Sequence, residues 1–336
     1  MQDGRSLRRT RGTRLLTLAA SLVLVAGACG KNDDAAPEDA SAPISVVASF
    51  FPLAEVARAV GGDLVQVSNL TRAGTEPHDL ELTASQVDQL EDADLVLYLG
   101  QGFQPAVAEV VERRSGRRVD LLEVIEPGEG ELDDHDDAPS EGEVQAPDEE
   151  PTAGGHEHPE GGMDPHFWLD PTLLARAVDR VEAALAEASP DQAGAFAANA
   201  DRYQESLAEL DAEFEQGLAD CDRRDLVTSH AAFHYLAERY GLRQLPIAGL
   251  SPESEPGPDR MAELADLITE VGVTTVFYET LAAPDVAETL AREAGVEVAV
   301  LNPLEGLTQA EIDAGKDYAA VMGDNLAALT KALGCR

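Results

Sequence analysis

Basic residues are scarce in this sequence. Against 64 Asp and Glu stand only 24 Lys and Arg, a formal charge of −40 over 336 residues. Phosphate backbones are bound through Lys and Arg, so the balance argues against a nucleic-acid partner and makes cations the natural ligands. No His-Glu-x-x-His string occurs, which removes the metalloprotease helix from consideration. Cysteine is limited to Cys29, Cys221 and Cys335, tryptophan to Trp168, and no repeat relates the two halves of the chain. The charge-free N-terminal run, Leu15 to Ala28, is too short to span a bilayer comfortably.

What that run does fit is an export signal. Arg5, Arg8, Arg9, Arg11 and Arg14 precede it, and small residues end it. Residues 1–28 are therefore expected to be removed rather than folded. The ending Ala26-Gly27-Ala28-Cys29 resembles a bacterial lipoprotein box, which makes Cys29 the lipid-bearing first residue and puts the domain on the extracytoplasmic side of the cell membrane; soluble secretion is the alternative. Residues 29–43, polar and rich in Ala, Pro and Asp, suit a flexible tether. An oxidising compartment then predicts a bridge between Cys221 and Cys335, with two free thiols as the alternative.

From Ile44 onward strands alternate with helices, the pattern of a parallel sheet covered by helices on both faces. Strands are expected at Ile44–Phe50, Leu64–Leu70, Leu95–Leu99 and Val119–Leu122, in an N-terminal α/β lobe spanning 44–172. An insertion over about 126–163 interrupts this lobe. Between Glu126 and Glu160 it carries fourteen acids, no Lys or Arg, and His135, His156 and His158, and reads as a mobile loop able to gather zinc weakly, with a plain solvated insertion as the alternative. A helical region over 173–222 follows, with Phe196, Ala200, Tyr203, Leu207, Leu210, Phe214 and Leu218 on one stripe, long enough to brace two lobes. Alternation resumes over 223–336 in a second α/β lobe, with strands at Asp225–Ser229, Gln244–Leu250, Thr274–Tyr278 and Val296–Leu301 and a helix at Ala231–Tyr240. The fold class is thus α/β, in two lobes that a long helix can brace.

Three histidines stand at strand ends or just before the long helix: Glu76-Pro77-His78, Asp164-Pro165-His166 and Thr228-Ser229-His230. Ligands of open α/β sheets bind beyond the carboxyl ends of the strands, so two facing lobes direct these imidazoles into one cleft. Neutral imidazoles from separate segments suit a borderline-soft ion such as zinc better than manganese, which prefers oxygen donors. His234, one turn beyond His230 on the expected helix, reads as a residue behind the ligands or on the surface, and Glu279 as a group that orients a ligand, with a structural salt bridge as the alternative.

The strings Glu76-Pro77-His78-Asp79, His166-Phe167-Trp168-Leu169-Asp170-Pro171, Val227-Thr228-Ser229-His230-Ala231-Ala232-Phe233 and Pro252-Glu253-Ser254-Glu255-Pro256 resemble, in order, the zinc and manganese solute-binding lipoproteins of ABC importers. The resemblance covers nearly everything from Ile44 to Cys335. It implies two α/β lobes joined by a long rigid helix, with a metal held in the cleft between them by His78, His166 and His230 and delivered by a monomer to an importer permease and its ATPase. The fourth position is open. Where such proteins often carry an aspartate this chain has Asn302, so the fourth ligand is expected from Asn302, with Glu305, Glu76 or a water as alternatives; Glu76 otherwise orients a ligand. Zinc is the expected cargo and manganese the alternative. A zinc-dependent hydrolase and a surface adhesin or metal-buffering lipoprotein are the rival functions.

Overall fold

The computed structural model describes residues 42–126, 163–252 and 256–336. The expected signal segment, Cys29 and nearly all of the expected tether lie outside the described residues. So do the acidic stretch 127–162 with its three histidines, and Glu253 to Glu255.

The four most buried strands are central and the more exposed ones lie at edges. β1 (Ile44–Ala48), β2 (Val65–Asn69), β3 (Leu95–Tyr98) and β4 (Arg117–Asp120) form a parallel sheet in the order β2-β1-β3-β4. β5 (Asp225–Thr228), β6 (Arg243–Pro246), β7 (Thr275–Tyr278) and β8 (Glu297–Val300) form a second in the order β6-β5-β7-β8. Both lobes therefore wind identically. Side chains alternate across a strand, and β1 and β3 are buried on both faces: Val46, Ala48, Leu95 and Leu97 join one cluster, while Val47, Val96 and Tyr98 join another. At the edge, β2 half-buries Val65 and Val67 and exposes Gln66 and Ser68.

Helices α1 (Phe51–Gly61), α2 (Ala84–Asp92) and α3 (Pro105–Arg113) belong to the first lobe. Helices α4 (Pro171–Ala188) and α5 (Ala193–Gly217) follow, then α6 (His234–Arg239), α7 (Pro258–Val271), α8 (Asp285–Ala294), α9 (Gln309–Asp313) and α10 (Tyr318–Leu333). The expected helical region is two helices, because Pro190 opens a 3-10 turn after Ser189 and cannot continue α4. α4 packs on α1, β3 and β4 and so covers the first sheet, whereas α5 touches both α1 and α10 and braces the two lobes. Its buried stripe, Phe196, Ala200, Leu207, Leu210 and Phe214, enters a core that runs from β1 to α10. Each large side chain there contributes about 1.5 to 3 kcal/mol by leaving water.

The expected disulfide is present: Cys221, just past α5, is bonded to Cys335, just past α10. Two local expectations are corrected. Leu121–Val124 is a 3-10 turn, and its strand starts earlier, at Arg117. The helix expected from Ala231 forms only from His234. Residues 230 and 231 are engaged elsewhere, since Ala231 N–H donates to Gly249 O and the His230 carbonyl accepts from Thr228 and Gln244 side chains. His230 is therefore not on a helix.

Candidate metal centre

Each lobe changes winding direction beside its first strand, and the second lobe uses that point directly. β5 and β7 are neighbours; His230 lies two residues beyond the first and Glu279 directly beyond the second. Their adjacency brings Glu279 Oε1 to 2.6 Å from His230 Nδ1, and the same oxygen accepts the His230 backbone N–H at 3.2 Å. In the first lobe the corresponding ends, past β1 and β3, supply Phe50 and Phe103, whose rings lie 4.9 Å apart. Phe103 packs edge-on against His78 at 4.6 Å, and Trp168 stands 5.1 Å from the His166 ring. An apolar wall thus excludes water from one side.

The Glu-Pro-His and Asp-Pro-His strings fold alike. In each the acid accepts the N–H of the histidine two residues on, Glu76 from His78 at 3.1 Å and Asp164 from His166 at 2.9 Å. The shorter aspartate also reaches His166 Nδ1, at 2.6 Å. Glu76 Oε1 instead lies 4.0 Å from His78 Nε2, near the centre itself.

His78, His166, His230 and Glu305 converge. Their ligand atoms all lie within 4.8 Å of one another. Glu305 Oε1 is 3.2 Å from His78 Nε2 and 3.1 Å from the Nε2 of both His166 and His230; those two nitrogens are 3.4 Å apart. A neutral imidazole has one N–H. In His166 and His230 the short carboxylate contacts take that proton at Nδ1, so each Nε2 turns a lone pair inward, toward another lone pair and a carboxylate. Only protons or a cation can stabilise such a centre.

The electrostatics agree. Burial opposes the imidazolium of His166, but Asp164 and Glu305 outweigh it and raise its pKa. Burial likewise opposes the His230 cation, yet Glu279 and Glu305 raise its pKa well above the ordinary value. Glu305 is buried, which alone would favour its neutral form; His230, with hydrogen bonds from His166, His230 and His78, holds it well below the usual carboxylate range. Burial, then the charge of Glu305, pushes Glu76 up to about 9.

Asn302, expected first for the fourth position, makes two side-chain hydrogen bonds near its own loop. Its Oδ1 accepts Leu304 N–H at 2.8 Å and its Nδ2 donates to Glu311 Oε1 at 3.2 Å, so both polar atoms of the amide are engaged by the loop and α9. Glu305, the alternative, occupies the position three residues on. His234 is peripheral, 3.8 Å from Glu238. Sequence reasoning did not single out Asp164 or Phe103; the repeated acid-Pro-His string was the available signal for Asp164.

The model of the family described as zinc-uptake complex component A, periplasmic, matches residues 46–332. The zinc-binding protein AdcA of Streptococcus pyogenes serotype M6 is 38% identical over 295 residues, which are 86% of this chain and 56% of that protein, so the chain spans about half the length of that relative. The high-affinity zinc uptake system protein ZnuA of Bacillus subtilis is 33% identical over 323 residues, 95% of this chain and 97% of that one. Among solved structures, the zinc-bound ZnuA-like domain of Streptococcus pneumoniae AdcA superimposes with a TM-score of 0.68 at 32% identity, covering 87% of this chain and 99% of that domain. By sequence and by fold, this chain belongs to the zinc-uptake complex component A family of solute-binding proteins.

Proposed function

We propose that this protein captures one zinc ion between its lobes and delivers it to the permease of an ABC importer, whose ATPase drives transport. The observation that carries this is the meeting of three Nε2 atoms and one carboxylate oxygen, with His166, His230 and Glu305 buried, His78 half-buried, and His166 and His230 held from behind by Asp164 and Glu279. Three nitrogens and one oxygen are a tetrahedral zinc set; manganese prefers more oxygens and a larger coordination number. The relatives named for zinc binding and zinc uptake support the same cargo.

Four protein ligands also argue against the hydrolase reading. A catalytic zinc keeps a position for water or substrate, whereas Glu305 Oε1, 3.1 to 3.2 Å from the three Nε2 atoms, would take the fourth place. Delivery to a membrane partner fits a chain tethered through lipid on Cys29, acting as a monomer. Its acidic surface draws cations toward the cleft.

Native mass spectrometry of the mature protein with zinc, manganese and chelator tests the reading. One zinc retained per chain at neutral pH, in preference to manganese, is the expected result. No retained metal, or manganese retained over zinc, would remove it.

A further inference from the structure

We propose that Asn325, on α10 and twenty residues from the nearest ligand in sequence, is a positioning residue for the metal carboxylate, acting through residue 302 on Glu305. The proposal rests on the zinc-capture reading and adds to it the device that holds the fourth ligand in place.

The loop that carries Glu305 leaves the sheet early. Leu301 N–H makes a last ladder bond to Tyr278 O, and no regular element holds residues 301 to 308. The next N–H, of Asn302, donates instead to Asn325 Oδ1 at 2.8 Å, while Asn325 Nδ2 donates to Asn302 O at 2.7 Å. One side-chain amide thus takes both backbone groups of residue 302, replacing the strand that the sheet no longer provides. From that fixed point the chain is set residue by residue. Trp168 Nε1 donates to Pro303 O at 2.7 Å, Asn302 Oδ1 accepts Leu304 N–H, and Leu304 adopts a φ of 58°, a left-handed conformation that a branched side chain rarely takes. Glu305 follows directly and is buried against the three histidines.

Asn325 has no reason of its own to be polar. It sits inside α10 at 2% exposure, among the buried Met322 and Leu329, where an apolar residue would favour both helix and core. Its amide is accounted for by what it does to residue 302. Because α10 also holds the turn after His166, through Tyr318 OH to Trp168 O at 2.7 Å, one helix sets two ligand-bearing segments. The left-handed turn at Leu304 is the kind of conformation that persists only when its surroundings over-determine it, and Asn325 is the remote part of that support.

The test is a double-mutant cycle between Asn325→Leu and Glu305→Gln, read by zinc affinity and by the visible spectrum of the cobalt(II) form. Asn325→Leu is expected to weaken zinc by roughly ten-fold or more, in the range of changes to groups that orient ligands. Its cobalt spectrum should shift toward that of Glu305→Gln. In the Glu305→Gln background the same change should cost less than roughly two-fold, because the carboxylate it positions has already been replaced by a neutral, weaker donor. Equal losses in both backgrounds, or wild-type affinity and spectrum in Asn325→Leu, would overturn the proposal. Should Asn325→Leu fail to fold, Asn325→Asp keeps the shape and the acceptor, loses the donor to Asn302 O, and enters the same cycle with the same expectations. Wild-type protein is measured first. If it takes up no zinc, the function and this inference fall together, whereas a zinc-binding wild type with additive losses removes the inference alone.

Discussion

The imidazole of His230 is gripped at both nitrogens by carboxylates, Glu279 at 2.6 Å from Nδ1 and Glu305 at 3.1 Å from Nε2. A neutral ring can satisfy only one of them. The inward side of His230, and of His166 with it, therefore calls for a second proton or a metal ion, and exchange between the two is the chemistry of the site.

Removing any one ligand should be severe. His78→Ala, His166→Ala, His230→Ala and Glu305→Gln are each expected to weaken zinc by about ten-fold or more, beyond most changes to orienting groups. Competition with a chromogenic chelator measures this, and a variant with wild-type affinity loses its residue from the ligand set.

Asn302→Asp distinguishes the ligand from the loop former. A liganding aspartate would strengthen zinc binding. Here the new carboxylate would replace the donor to Glu311 with a like charge, so the affinity should fall or stay level and the melting temperature should drop. A gain in affinity would return residue 302 to the coordination sphere.

Protons and zinc should compete in a defined direction. In the metal-free fold the raised pKa values of His166 and His230 contribute stability below the unfolded value of about 6.5, and that stability is lost as pH rises through the folded values. Glu76, pushed up to about 9, acts in the same sense from its unfolded value upward. Glu305 acts oppositely, its contribution being lost at acid pH below the ordinary carboxylate range. From about pH 6.5 upward the metal-free melting temperature should therefore fall while the increment given by zinc grows. Calorimetry with and without zinc reads both, and an increment that shrank with rising pH would contradict the proton exchange.

Reducing the Cys221–Cys335 bond should lower stability and leave the site alone. The bond closes a loop of 114 residues, for which the chain-entropy model gives about 4 to 5 kcal/mol. Neither cysteine belongs to the ligand cluster. Melting under reducing conditions should shift downward, whereas a large loss of zinc affinity on reduction would tie the bond to the site.

Much of the fold was legible because its signals are local. Central strands buried on both faces read as short apolar runs, and the 3.6-residue stripe from Phe196 to Phe214 marked the bracing helix. The histidines were legible because each sits at a segment end beside an acid, a proline or a serine. Glu305 came second to Asn302 because its position depends on a left-handed leucine, which no residue preference predicts, and on Asn325 and Trp168, which are distant in sequence. The helix expected from Ala231 failed for a related reason. Its first backbone groups are taken by Gly249, Thr228 and Gln244 across the sheet end, and local periodicity carries no trace of those partners.

X-ray absorption at the zinc edge of the one-to-one complex tests the central claim most directly. The account predicts a four-coordinate ion with three imidazole nitrogens and one carboxylate oxygen at about 2.0 to 2.2 Å, and loss of that oxygen geometry in Glu305→Gln. A coordination shell with fewer than three imidazoles, or a six-coordinate shell dominated by oxygen, would contradict it.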